Sequence, residues 1–184
     1  VYITARRVQA CEEAAKALSQ FGECIALPGD ISSTDTIAEL VADLAAREDY
    51  VDVLVNNAGP GWGAADGEFP EAGWDKVMNT NVKGVFFLTQ KLLPLLRASG
   101  TAENPARVVN IGSIDGIKNP VFETFSYGPS KAALHHLTCG LAPHFALEHN
   151  IVNASVPGPV SHTHLTLPTI HSVFYFFYSL LLYT

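Results

Sequence analysis

Short runs of β-branched and apolar residues recur along the chain at 1–5, 24–27, 51–55, 107–111 and 151–155, each separated from the next by a stretch with helical periodicity. Val, Ile and aromatic residues in such runs favour strands. Strands that alternate with helices cannot pair as hairpins, so each crossover returns to a parallel neighbour. The pattern therefore predicts a parallel sheet covered by helices on both faces, the doubly wound α/β class. Helices are expected over 8–21 with Gly22 as a stop, from a Ser32 or Ser33 cap through Arg47, over 74–96, and over 127–149. Pro94 is expected to end or kink the third of these, because proline lacks the amide hydrogen that an interior helical position needs.

At 184 residues, 48% hydrophobic and 16% charged, the chain has enough apolar residues for one domain with a sizeable core. The formal net charge of −7, with Arg6-Arg7 as the one paired basic site, argues against nucleic-acid or anionic-membrane partners. Cys11, Cys24 and Cys139 show no CxxC spacing and are odd in number. They read as reduced thiols of a cytoplasmic protein, with no metal expected. The seven histidines, His135-His136 among them, lack a carboxylate or cysteine constellation and are expected to be surface or core residues.

Chemistry is concentrated around Tyr127 and Lys131, four residues apart and hence on one helical face. A cationic lysine held beside a phenol favours the phenolate, which is a way to make a proton donor for a carbonyl oxygen. Ser113 lies fourteen residues before Tyr127, at the end of an apolar strand. Another such strand runs into Asn56-Asn57-Ala58-Gly59, and Asn79-Thr80-Asn81-Val82-Lys83-Gly84 follows. A serine hydrolase would need a GxSxG elbow. Gly112-Ser113-Ile114-Asp115-Gly116 lacks that spacing.

The ordered series NNAG, the Asn81 segment, Ile-Gly-Ser, YxxxK and Pro157-Gly158 resembles the short-chain dehydrogenase/reductase family over roughly residues 1 to 160. Within that family the chain is similar to the rhamnolipid-type β-ketoacyl reductases and related 3-oxoacyl-carrier-protein reductases. The resemblance implies a Rossmann-like fold and an NADP-dependent reduction of a ketone, such as a 3-oxoacyl thioester, to a secondary alcohol. It implies Tyr127 as general acid/base, Ser113 as the donor to the substrate oxygen, Lys131 on the nicotinamide ribose and Asn81 on a water that relays protons. Cofactor contacts are implied for Asp30, Asn57, Ala58, Gly59, Tyr127, Lys131, Pro157, Gly158 and Val160. Arg6 stands where an acidic residue would select the free ribose of NAD, and an arginine there suits the 2′-phosphate of NADP. Trp62, Asp115 and residues 119–125 fall where the family shapes its substrate pocket, although Trp62 reads equally as a packing residue. A homo-oligomeric parent acting on a small carbonyl or alcohol substrate is also implied.

The same resemblance leads us to expect a partial domain over residues 1–160, without the family's first strand, its glycine-rich phosphate turn and its C-terminal strands. The remaining sheet should then show a gap or non-family pairing, and the chain as it stands should be inactive. Residues 161–184 read as a non-native tail, because Thr163-His-Leu-Thr-Leu-Pro-Thr169 resembles a translated sequencing adapter. Its apolar run, 173–183, is shorter than the roughly 20 residues that span a bilayer. The competing readings are a non-catalytic nucleotide-binding relative and a dehydrogenase of another alcohol.

Overall fold

A computed structural model describes residues 1–118 and 122–158. Strand β1 (Tyr2–Ile3) leads into helix α1 (Val8–Leu18), followed by β2 (Ile25–Ala26), α2 (Thr34–Ala45) and β3 (Val53–Asn56). Then come α3 (Glu71–Met78), a π-helical segment (Asn79–Gly84), α4 (Val85–Ser99), β4 (Ala106–Ile111), a 3₁₀ turn (Ile114–Gly116), α5 (Tyr127–Ala146) and β5 (Asn150–Ser155). Every strand pair is parallel: β1 lies beside β2, and β3, β4 and β5 form a second sheet in that order. The Rossmann-like alternation expected from the sequence is present. It is split into two sheets, in keeping with the gap that the family resemblance leads us to expect.

One core joins the two sheets. Helix α2 starts at Ser33, whose hydroxyl accepts the Asp35 N–H at 3.3 Å, and it turns Ile37, Leu40 and Leu44 inwards. These meet Leu88, Leu92 and Leu96 of α4, which in turn cover Val108 and Val152 of the second sheet. In the three-stranded sheet the described residues cover one face. Helix α4 packs on β3 and β4 and α5 on β4 and β5, over the face that holds Val108 and Val152, whereas Val53, Val55 and Ile151, on the opposite face, are exposed.

Several boundaries differ from expectation; α2 stops at Ala45 and α5 at Ala146, each short of the expected end, and α3 begins at Glu71. Helix α1 stops at Leu18, where the Ser19 hydroxyl donates to the carbonyls of Ala15 and Cys24 and leaves Phe21 outside. The long helix over 74–96 is two helices joined by the π-helical segment, a wider turn that carries one more residue than an α-helical turn. Pro94 does not end α4, which continues to Ser99. Leu92 and Leu96 are buried on either side of Pro94. Burying each is worth about 1.5–3 kcal/mol, which offsets the roughly 3 kcal/mol that an interior proline costs.

The covered face of the second sheet also holds a buried polar chain. The Asn56 amide donates to Thr89 Oγ1 (3.1 Å) and to Asn110 Oδ1 (2.8 Å). Asn110 Nδ2 donates to Thr138 Oγ1 (2.9 Å), which donates to the Leu134 carbonyl (2.8 Å). Two strands and two helices are thus fixed at the carboxyl ends of the strands. Removing the middle link leaves buried polar atoms short of partners, so Asn110→Leu should lower unfolding stability by about 2–3 kcal/mol. Val55→Thr, on the exposed face, should change it by no more than about 0.5 kcal/mol. Urea unfolding midpoints of the two variants check the contrast.

Candidate active site

Parallel strands end together, and in open α/β sheets the ligand lies at those ends. Here the ends are stitched to one another. Gly112, just past β4, donates to the Ser155 carbonyl at 2.7 Å, and Ile114 donates to the Pro157 carbonyl at 3.0 Å. Ser113 sits between them, 8% exposed, and caps the 3₁₀ turn by accepting the Asp115 N–H at 3.2 Å. Past β3 the chain emerges as Asn57, Ala58 and Gly59, all exposed.

Helix α5 runs beneath these ends. Tyr127 opens it half-buried, and Lys131 follows one turn later at 2% exposure. The Lys131 ammonium donates to the Ile111 carbonyl at 2.7 Å and lies 5.6 Å from the centroid of the Tyr127 ring. Burial lowers its pKa from the ordinary 10.5 to about 8. The ammonium form still outnumbers the amine by about ten to one at pH 7. A Cβ at Gly59 would stand 2.7 Å from Nζ, so a larger residue in the post-β3 loop would push the lysine head aside.

Asn81 lies in the π-helical segment, fully buried. Its amide donates to the Pro60 carbonyl (3.2 Å) and to Ser130 Oγ (2.9 Å), and Ser130 donates to the Tyr127 carbonyl (2.7 Å). Asn81 Oδ1 accepts nothing from the described residues. The structure therefore gathers Asn81, Ser113, Tyr127, Lys131, Gly59 and Pro157 around the ends of β3, β4 and β5.

Arg6 and Asp30 belong to the other sheet. Gly29 donates to the Ala5 carbonyl at 3.2 Å, which sets the two loops side by side. Arg6 and Arg7 are exposed and, with Ala5 and Ala10, line a concavity of about 460 Å³. Neither arginine is in an ion pair among the described residues. Asp30 Oδ1 accepts the Ser32 N–H at 2.9 Å. Pro157 and Gly158 are half-buried. Val160, the loop positions 119–121 and the tail 161–184 lie outside the described residues.

Of the two readings of Trp62, the structure supports packing. Its ring lies across α3 at Gly73, where a Cβ would come within 2.8 Å, and Lys76 Nζ stands 5.0 Å from the ring centroid. That seat holds the loop whose Gly61 faces the Tyr127 ring. His135, read from the sequence as an ordinary histidine, accepts the Ser113 N–H at Nε2 (3.3 Å). Its spacing of four from Lys131 was the available signal. Among the described residues no group of three or more His, Cys, Asp or Glu could hold a metal ion, and no helix is long and apolar enough to cross a membrane.

Serine, tyrosine, lysine and asparagine thus come together at the strand ends of a parallel α/β fold. The chain belongs to the short chain dehydrogenase family, whose model matches residues 1–171. It is 50% identical over 161 residues to the rhamnolipids biosynthesis 3-oxoacyl-[acyl-carrier-protein] reductase of Pseudomonas aeruginosa, covering 86% of this chain and 62% of that protein. It is 34% identical to the 3-oxoacyl-[acyl-carrier-protein] reductase of Thermotoga maritima, covering 70% of this chain and 50% of the relative. The Pseudomonas aeruginosa RhlG/NADP active-site complex superposes with a TM-score of 0.85 at 47% identity, covering 93% of this chain and 65% of that one. The chain thus spans between half and two thirds of the length of these proteins.

The residues present fit a nicotinamide dinucleotide. The 57–59 backbone is exposed for approach, Asn81 Oδ1 is buried with an open acceptor, and two arginines line a concavity beside the second loop.

The buried lysine also sets a pH dependence. Its folded pKa of about 8 lies below the ordinary 10.5, so the folded state sheds its proton first. The cost of burying the charge is present in full below pH 8 and is relieved as pH rises to 10.5, so stability should rise through that window. Compared with Lys131→Met, the parent should gain up to about 3 kcal/mol between those limits. Urea unfolding of both proteins at pH 7, 9 and 10.5 measures the difference.

Proposed function

We propose that this chain carries the site of an NADPH-dependent reductase of 3-oxoacyl thioesters. The observation that carries the reading is the buried Lys131 ammonium, set under the Tyr127 ring and fixed to the end of β4. A buried cation in contact with a half-exposed phenol suits proton delivery to a carbonyl oxygen, and has little purpose in a plain nucleotide-binding module. Tyr127 gives its hydroxyl proton to the carbonyl oxygen, Lys131 stabilises the phenolate left behind, and Ser113 donates to the same oxygen as negative charge develops on it. Asn81 offers its open Oδ1 to a water on the path by which the site is reprotonated. NADPH, when bound, supplies the hydride to the carbonyl carbon. Asn57, Ala58, Gly59, Pro157 and Gly158 would hold the dinucleotide along the strand ends, with Asp30 beside the adenine and Arg6 on the 2′-phosphate.

The choice of a 3-oxoacyl thioester is supported by the half-identical Pseudomonas relative, and the choice of NADPH by Arg6 and by the NADP in the superposed complex. In the full-length protein, NADPH oxidation should be measured with an acetoacetyl thioester. Tyr127→Phe should reduce turnover about 10²–10⁴-fold while leaving NADPH affinity nearly unchanged, since only the transferable proton is removed. Arg6→Asp should move the NADPH-to-NADH preference about 10–100-fold towards NADH, the equivalent of one charge-assisted contact. A parent that prefers NADH, or turnover retained by Tyr127→Phe, would refute the assignment.

A further inference from the structure

The β4–β5 ladder ends at the pair Ile111 and Ser155, and Gly112 and Ile114 extend its bonds by donating to the Ser155 and Pro157 carbonyls. Ser113 lies between these two donors, and its own part-buried amide has no backbone acceptor among the described residues. A buried N–H left unpaired is costly. It is taken up by a side chain 22 residues away: His135 Nε2 accepts it at 3.3 Å.

The space for that imidazole is specific. A Cβ on Gly112 would fall 2.1 Å from His135 Nε2 and 2.6 Å from Cδ2, and a Cβ on Gly116 would fall 2.7 Å from the Ala132 backbone nitrogen of α5 and 2.8 Å from His135 Cε1. The ring thus occupies volume left by two glycines that flank Ser113. Helix α5 supplies it from the face that carries Lys131, one turn earlier. Accepting at Nε2 requires the neutral ring with its proton on Nδ1. Burial and the nearby Lys131 charge both lower the His135 pKa, which favours that form.

We propose that His135 is a positioning residue for Ser113, and that Gly112 and Gly116 are the glycines that admit it. The proposal rests on the reading of Ser113 as the donor to the substrate oxygen. By anchoring the Ser113 amide, the imidazole fixes the backbone from which Oγ projects. Tyr127, Lys131 and Ser113 are then registered to a single helix: the first two belong to it, and the third hangs from it by one hydrogen bond. Residues flanking a reacting group matter in this way because displacement on the order of 1 Å can cost about 100-fold in rate.

The test uses the full-length protein and four variants. His135→Met fills the space without an acceptor, and His135→Gln restores one. Gly112→Ala drives the ring out, and Gly112→Ala combined with His135→Met asks whether the two act through one contact. With an acetoacetyl thioester and NADPH, His135→Met should lower kcat about 10–100-fold with the NADPH KM unchanged. His135→Gln should recover most of that loss. The double variant should be no worse than Gly112→Ala alone, because both changes break the same contact. His136→Ala, on the exposed neighbour, serves as a control and should match the parent. In ¹H–¹⁵N spectra the Ser113 amide proton should shift upfield and exchange faster in His135→Met and Gly112→Ala, but not in His136→Ala.

Parental kcat in His135→Met, equal losses in the Met and Gln variants, or additive losses in the double variant would overturn the positioning role. An unmoved Ser113 amide would do the same. If the parent itself does not oxidise NADPH with the thioester, the functional reading fails. The amide spectra then decide the His135 contact on their own, and an amide that moves supports it.

Discussion

A lysine ammonium buried to 2% exposure is the constraint around which the rest of this structure is arranged. Withdrawing such a charge from water is costly enough to pull its pKa down to about 8, and the cost is tolerable only where strong acceptors are fixed in place. Lys131 has one in the Ile111 carbonyl, the last residue of β4, and it has the Tyr127 ring alongside. Helix α5 must therefore sit at one height relative to the strand ends. That placement brings Ser130 to Asn81 and His135 to Ser113.

The scaffold that holds this height is polar as well as apolar. The chain of hydrogen bonds from Thr89 through Asn56 and Asn110 to Thr138 ties α4 and α5 to β3 and β4 just below the site. Apolar packing of Leu88, Leu92, Leu96, Val108 and Val152 supplies most of the burial, but it does not specify position along the strands. Directional bonds between buried amides and hydroxyls do, because a shift by one residue would leave each of them unmet. Close contacts then do the finer work: Gly59 admits the lysine, Gly112 and Gly116 admit the imidazole, and Gly73 admits Trp62.

What depends on local pattern was legible in the sequence. The five strands, the Ser33 cap and the one-face placement of Tyr127 and Lys131 follow from alternation, capping chemistry and a spacing of four. The split between the two sheets was foreseeable only through the family resemblance, which implies a first strand between β1 and β3. What depends on contacts distant in sequence was not legible. Nothing local distinguishes an Asn81 in a π-helical turn from one in a continuous helix, and the turn is stabilised by bonds to Pro60 and Ser130. Pro94 reads as a helix breaker until Leu92 and Leu96 are seen buried on both sides of it. His135 reads as an ordinary histidine, since its spacing of four from Lys131 puts it on the same face but does not reveal its backbone partner.

The approach of Gly59 to Lys131 allows the most direct test that the buried ammonium organises the site. Gly59 has no positive φ, so an alanine there strains no backbone, and its methyl meets only the lysine head closely. The measurement is kcat for NADPH-dependent thioester reduction by Gly59→Ala in the full-length protein, taken together with its thermal midpoint. The account predicts a midpoint close to that of the parent and a kcat about 10–100-fold lower, because the ammonium is pushed from its place without loss of the core. A folded Gly59→Ala protein with kcat within about twofold of the parent, far less than such a displacement costs, would contradict it.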